Sequence, residues 1–449
     1  MGVATARSVR CIVVHSDCSI SQTLLKRILE QKGHSLRVAV IVNDMSELNI
    51  DASLVRNGSL VQTEEKLVEL QNGCICCTLR EDLLIEVQSL ASTGKFDYLL
   101  IESTGIGEPQ QVAETFDMDG PDGQNLRSVA FIDTMVTLVD SSNVRQNLSS
   151  IKNLTENEGR DVAGGERQVA DLLLDQIEFA NVILLNKTDL VDGSTRAELE
   201  AFLRTLNPRA VVSSCVESNV PLDTIINTGL FDMDEARKSP GWLMSLSEGH
   251  VPETEEYGIS SFIYRARSPF EPQKLWSFFT DHWMLQEVVA SGEDEDGTGV
   301  EMRTQHYTDA DAQAKQALLF RKYGQVLRSK GFIWLQGRND FHGELSQAGP
   351  IMRVSPGAPW FSAIPEDLWD EVNPIEVKKD MHGQHGDRRQ EIVFIGINIQ
   401  KDLLCGALDA CLCPSPSDSS PTHDPFLKWP LLEIVEVSTD MEDDSDDED

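Results

Sequence analysis

The sequence predicts an α/β protein: a mostly parallel sheet with helices on both faces, then a smaller α+β domain. Three observations carry this. In the first half, short β-branched runs alternate with amphipathic segments of helical period, the pattern of βαβ units. Those runs are apolar almost throughout, as strands covered on both faces must be. Around residues 233–256 the pattern dissolves into Gly, Pro, Ser and acidic residues, and beyond it strands recur with few helices between them.

Taken in order, strands are expected at 9–14, 36–42, 98–102, 137–140, 182–186 and 210–213, and helices at 22–31, 80–91, 166–179 and 194–206. A ligand of such a sheet sits at the strands' carboxyl ends. The second half gives strands at 259–267, 332–336, 351–354 and 391–399, mostly antiparallel, with a helix at 272–280 and a polar stretch at 292–311. The expected division is a nucleotide-binding domain at 1–235, a linker at 236–258, a second domain at 259–414, and a linker with a disordered acidic tail at 415–449. Thr439 to Asp449 contains eight carboxylates and no base, so solvation is expected there.

Composition narrows the function. The 449 residues are 40% hydrophobic and 25% charged, enough for two or three globular cores. Subtracting 74 acidic from 38 basic residues leaves −36, which argues against nucleic acid and for cations or basic proteins as partners. The nine cysteines, at 74–77, 405–413 and singly at 11, 18 and 215, do not space like a disulfide framework, so a reducing, cytoplasmic setting is expected. No apolar run reaches membrane-span length and a strand-like run begins almost at once, so neither a membrane partner nor a signal peptide is expected.

Five stretches bear on chemistry. Gly73-Cys74-Ile75-Cys76-Cys77-Thr78 places three thiols at one turn before a charged, helix-opening run. A helix N-terminus lowers thiol pKa values, and thiolates suit Zn(II) or Cu(I), though three is the most this turn supplies. A buried or redox-active cysteine group is the alternative. After the first strand, His15 to Thr23 stands where a nucleotide-binding βαβ protein carries its phosphate loop, without the glycines, lysine and Mg-binding Ser or Thr in register. The second strand exits into Asp44, Glu47 and Asp51, each by itself an ordinary solvated loop carboxylate.

The apolar run before Glu102-Ser103-Thr104-Gly105 ends in an acid and closes on a glycine. A Walker-B-type strand presents its carboxylate to a Mg-bound water, and the glycine N–H to the terminal phosphate, in this way. Asn186-Lys187-Thr188-Asp189, at another strand end, is the guanine-reading motif of GTPases. Its aspartate accepts two hydrogen bonds from the base, each charged bond contributing about 1.5–3 kcal/mol.

With these residues in place the chain resembles the CobW-type family of metal-handling P-loop GTPases, relatives of the hydrogenase and urease nickel-insertion GTPases. The resemblance rests on residues 72–80, 102–109, 186–189 and 220–223, and in the second half on 262–267, 328–335, 345–349 and 386–396. It implies a P-loop NTPase-like first domain, a CobW C-terminal domain, and a zinc metallochaperone that couples GTP state to transfer onto a client metalloprotein. It also implies that Cys76 and Cys77, with Cys74 nearby, hold the metal, and that Asp44 and Glu47 stand where the family has glutamates beside it. The family's Gly-x-x-Gly-x-Gly-Lys-Thr-Thr falls on His15 to Thr23, so His15, Cys18 and Ile20 replace its glycines, Ser21 its lysine and Gln22 its Mg-binding threonine.

Zn(II) is therefore the expected metal. GTP and Mg(II) binding is expected to be weakened by orders of magnitude, hydrolysis more than binding, and a pseudo-GTPase scaffold without turnover is the alternative. His382 and His385, in a Gly-rich loop, read as polar loop residues before a second metal site.

Overall fold

The structure, a computed structural model, describes residues 8–15, 23–28, 37–42, 67–69, 78–103, 109–118, 125–149, 169–237, 258–290, 300–304, 308–369, 374–414, 421 and 423–430. Seven strands form the first sheet: β1 (Val9–His15), β2 (Val38–Val42), β3 (Leu67–Glu69), β4 (Tyr98–Ser103), β5 (Ala130–Asp140), β6 (Val182–Asn186) and β7 (Val211–Ser214). Their order is β3-β2-β4-β1-β5-β6-β7, and every pair is parallel.

Alternation sorts the strand residues onto two faces. Cys11, Val13, Ile41, Leu99 and Ile101 pack with Leu84, Val87 and Leu90 of the helix Thr78–Ser92. Ile12, Val14, Val40 and Leu100 pack on the other face with Leu24 and Ile28 of the helix at 23–28. Both faces are covered, which is why the strands read as unbroken apolar runs. The longest, β5, buries every residue but Phe131 because it lies between β1 and β6.

The second sheet runs β10-β9-β13-β12-β11-β14-β8, with β8 (Ile259–Ala266), β9 (Met284–Ala290), β10 (Val300–Thr304), β11 (Gln325–Ile333), β12 (Phe341–Ala348), β13 (Ile351–Pro359) and β14 (Gln390–Ile397). All its pairs are antiparallel except β13 with β9. One face packs on the helices Pro272–His282, Asp309–Tyr323 and Lys401–Asp409, and includes Phe279, Tyr323, Phe394 and Leu404. The Asp309–Tyr323 helix starts in a capping box, Thr308 and Asp311 each accepting the other's backbone N–H. β12 is not among the expected strands; within it Gln347 is buried, accepting a bond from Ser329 and donating one to the Gly349 carbonyl.

The other face meets the first sheet's own helices. Ile259, Val393 and Ile395 pack with Leu174 and Ile177 of the helix Val169–Phe179 and with Phe202 and Leu206 of the helix Gly193–Leu206. Beside this contact Asp171, Asp175 and Glu178, which recur at helical spacing, turn toward one cation. Arg328 of β11, with no exposed side-chain surface, lies 3.0 Å from Asp171, 2.9 Å from Asp175 and 2.8 Å from Glu178. Arg353 reaches Asp171 at 3.2 Å, and Lys330 stands 3.6 and 3.7 Å from Asp175 and Glu178. Burial alone would depress the Arg328 pKa, but the carboxylates, Glu178 foremost, reverse this and raise it above the ordinary arginine value.

Removing one partner of a buried ion cluster strands the others. Arg328→Met is therefore expected to cost about 3–5 kcal/mol in chemical denaturation, with Arg328→Lys losing less. A denaturation midpoint for Arg328→Met equal to that of the parent would show that the cluster does not hold the two sheets together.

Candidate functional site

The carboxyl ends of the first sheet gather the sequence-predicted residues that the structure describes. β6 ends in Asn186, 2% exposed, whose side chain holds the loop after β7. Its Oδ1 accepts the Ser218 backbone N–H at 3.0 Å, and its Nδ2 donates to Ser218 Oγ at 3.2 Å. That loop is wound tightly, with Glu217 and Ser218 both left-handed at φ 48° and 55°. Arg27, on the helix that follows β1, donates to the Glu217 carbonyl at 2.6 Å and pairs with its carboxylate at 3.2 Å.

Lys187 is also left-handed, at φ 58°, which turns its side chain back across the end of β5. Its Nζ lies 2.7 Å from Asp140 Oδ2, and Ser141 Oγ donates to its carbonyl at 2.8 Å. Burial pushes the Asp140 pKa up, but hydrogen bonds from Lys187 and Ser142 outweigh it and hold the carboxyl below its ordinary value. Thr188 Oγ1 bonds to the Cys215 carbonyl at 3.0 Å, fixing the short turn Thr188–Leu190. Asp189, in that turn, is exposed. The result is a corner in which Asn186 and Lys187 are immobilised and an exposed carboxylate stands beside them. Cys215 beneath it is a structural thiol, its pKa pushed by burial to about 11.

His15 ends β1, where the sequence resemblance implies the first glycine of a phosphate loop. It pairs in register with Ser103 of β4 and Thr137 of β5, is 1% exposed, and its Nε2 has no hydrogen-bond partner among the described residues. Burial lowers its pKa to about 3, so the ring at this strand exit is neutral near pH 7. Glu102, the strand-end carboxylate, is 6% exposed in β4, in register with Val14 and Val42.

Asp44, Glu47, Cys74, Cys76, Cys77 and Gly105 lie outside the described residues. The strands that precede the two segments expected to carry metal ligands do not: β2 ends at Val42 and β3 at Glu69, side by side in the sheet. His382 Nδ1 pairs with the Asp380 carbonyl at 2.9 Å, whereas the His385 ring lies 5.1 Å from that of Trp334. Among the described residues no group of three or more His, Cys, Asp or Glu could hold a metal ion. Cys411 and Cys413 are buried and Cys405 is partly so. No helix among the described residues is long and apolar enough to cross a membrane.

Sequence reading missed Asp140, Ser218 and Arg27, which brace the corner. Asp140 ends a parallel strand beside β6, and that position was its signal. Ser218 and Arg27 gave none, because contacts 32 and 190 residues apart in sequence leave no local pattern.

The buried imidazole sets a pH dependence. Its folded-state pKa lies below the unfolded value near 6.5, so the unfolded chain binds more protons and stability falls as pH drops through that window. His15→Gln is expected to remove roughly 1–2 kcal/mol of the stability loss between pH 7 and pH 5, read from denaturation midpoints at both pH values. Equal losses in parent and variant would place the ring in solvent.

Comparison with known proteins gives two family matches: the CobW/HypB/UreG nucleotide-binding domain over residues 22–214 and the cobalamin synthesis protein CobW C-terminal domain over residues 301–412. The zinc-regulated GTPase metalloprotein activator 1 of Dictyostelium discoideum is 41% identical over 402 residues, 87% of this chain and 76% of that one. The zinc chaperone CobW of a Sinorhizobium species is 31% identical over 183 residues, 38% of this chain and 49% of that protein. These matches, with a parallel nucleotide-type sheet joined to a second mixed sheet, establish that the chain belongs to the CobW/HypB/UreG family and carries the CobW C-terminal domain.

Proposed function

We propose that this protein is a zinc metallochaperone of the CobW type that keeps guanine recognition and has lost most of its hold on the nucleotide's phosphates. The guanine half is carried by one observation: Asn186 and Lys187 are fixed by Ser218 and Asp140, with Asp189 exposed beside them. In that arrangement Asp189 accepts from the base, while Asn186 and Lys187 keep the walls of the pocket in place. The names of the relatives support zinc as the cargo. Cys74, Cys76 and Cys77, with Asp44 and Glu47, are the proposed ligands. Thiolates with a carboxylate make a donor set that zinc accepts at tetrahedral coordination. The adjacent ends of β2 and β3, which precede the two segments in the sequence, support this reading.

The phosphate half is argued from His15. A neutral ring replaces a glycine at the strand exit, and no lysine stands in register to meet the β- and γ-oxygens. The nucleotide-domain match begins at residue 22, past this stretch. Losing the cation alone weakens a bound phosphate by about 1.5–3 kcal/mol. Glu102 would then face a poorly held Mg(II)–GTP, and turnover suffers more than binding. The same observation favours a second reading, a pseudo-GTPase scaffold that binds zinc and a client metalloprotein without hydrolysis.

Two outcomes test this. Changing Cys76 and Cys77 to Ser is expected to lower bound zinc by about one ion per chain, measured by metal analysis after dialysis. Unchanged stoichiometry would remove the metal assignment. Phosphate release from GTP is expected to stay near background with and without Zn(II), and zinc-stimulated turnover would overturn the weakened phosphate site and the scaffold reading together.

A further inference from the structure

The segment around Asp424 lies beyond the last helix, in the stretch expected from sequence to be linker and tail, yet it lies along the helix-covered face of the second sheet. Phe426 is 4% exposed, its ring edge-on to Trp276 at 5.1 Å. Three buried or half-buried charged side chains of the domain converge on the segment. Arg338 donates to Asp424 Oδ2 at 2.8 Å and to the Phe426 carbonyl at 3.2 Å, and its guanidinium lies 4.4 Å from the centre of the Trp429 ring. Arg303 donates to the Pro425 carbonyl at 2.7 Å and stands 4.7 Å over Trp276. Glu287, 2% exposed and bonded to Arg303, accepts the Leu427 N–H at 2.7 Å.

The floor of this groove needs a glycine. A Cβ on Gly343 would come within 2.6 Å of the Trp429 ring and 2.7 Å of Ile333, so the indole occupies the space a side chain would take. Lys428 points to solvent.

We propose that this face of the C-terminal domain is a peptide-reading groove, and that Asp424–Trp429 is its resident ligand, docked in cis. The segment's contacts are those of recognition. Three of its backbone groups, the Pro425 and Phe426 carbonyls and the Leu427 N–H, are met by charged side chains of the domain. An acidic residue, a buried aromatic and a second aromatic three positions later fill distinct places. Extended peptides are read in this way, by backbone bonds for affinity and side-chain pockets for specificity. A partner entering here carries the same chemistry, acid-Pro-aromatic-x-x-Trp, and must displace the strap. Tethering gives the strap an effective concentration in the millimolar range, so it shields the groove from weak competitors.

The test uses the full chain and a fluorescein-labelled peptide of residues 421–431, followed by fluorescence anisotropy. Phe426→Ala with Trp429→Ala frees the groove and is expected to bind the peptide at least tenfold more tightly than the parent does. Adding Arg338→Ala should then weaken binding about tenfold or more, as expected for a charged hydrogen-bonding anchor. Equal binding by parent and double variant, the variant keeping its circular dichroism spectrum and melting point, would overturn the proposal. Should the double variant fail to fold, hydrogen exchange on the parent decides. Excess peptide must accelerate exchange at the Leu427 amide, and an unchanged rate means that the segment is fixed core. A dimer in light scattering that the double substitution abolishes would place the segment in a second copy and overturn docking in cis.

Discussion

One buried guanidinium lies at the centre of the charged part of the contact between the two sheets. Arg328 projects from β11 into the acidic face of the helix Val169–Phe179, and that helix leads within three residues into β6, the strand that ends at Asn186. A buried charge is tolerated only when its partners are complete, and here Asp171, Asp175 and Glu178 are balanced by Arg328, Lys330 and Arg353. Charge matching of this kind adds register to an otherwise apolar contact, which Leu174, Phe202 and Ile395 could make in several alignments. Arg328 thus anchors the helix that leads into β6, although it touches no part of the site; β6 itself is held between β5 and β7.

At the carboxyl edge of the first sheet, neighbouring strands end in chemically different groups. β5 and β6 end in Asp140 and Asn186, both committed to bracing Lys187 and Ser218. β1 ends in a neutral, buried imidazole. In the proposed function the first arrangement serves base reading and the second stands in place of an anion cradle. The function proposed above, a pocket that keeps base reading and loses its phosphate grip, rests on this contrast between neighbouring strand ends.

The first sheet was legible because parallel strands buried on both faces are apolar throughout, and β1, β4 and β6 appear at their expected places. β3 was missed because three residues give no pattern. The second sheet was harder to read. β12 carries the buried polar Gln347, and the Asp309–Tyr323 helix begins inside the polar stretch expected at 292–311, although Thr308 and Asp311 spell a capping box. At the site, Asn186, Lys187 and Asp189 were legible as a motif. Their braces were not, since pairing of Lys187 with Asp140 and of Asn186 with Ser218 is decided by which strands are neighbours. The strap at Asp424–Trp429 was read as linker because its anchors, Arg338, Arg303 and Glu287, lie 86 to 140 residues away.

The most direct measurement is calorimetric titration of the zinc-loaded full chain with guanosine, GMP, GDP and GTP in the presence of Mg(II). A pocket that reads the base through Asp189 and lacks a phosphate cradle binds all four within about tenfold of one another, because the shared base supplies most of the energy. GTP and GDP binding more than a thousandfold tighter than guanosine would contradict this, showing that the protein holds phosphate despite the sequence of residues 15–23.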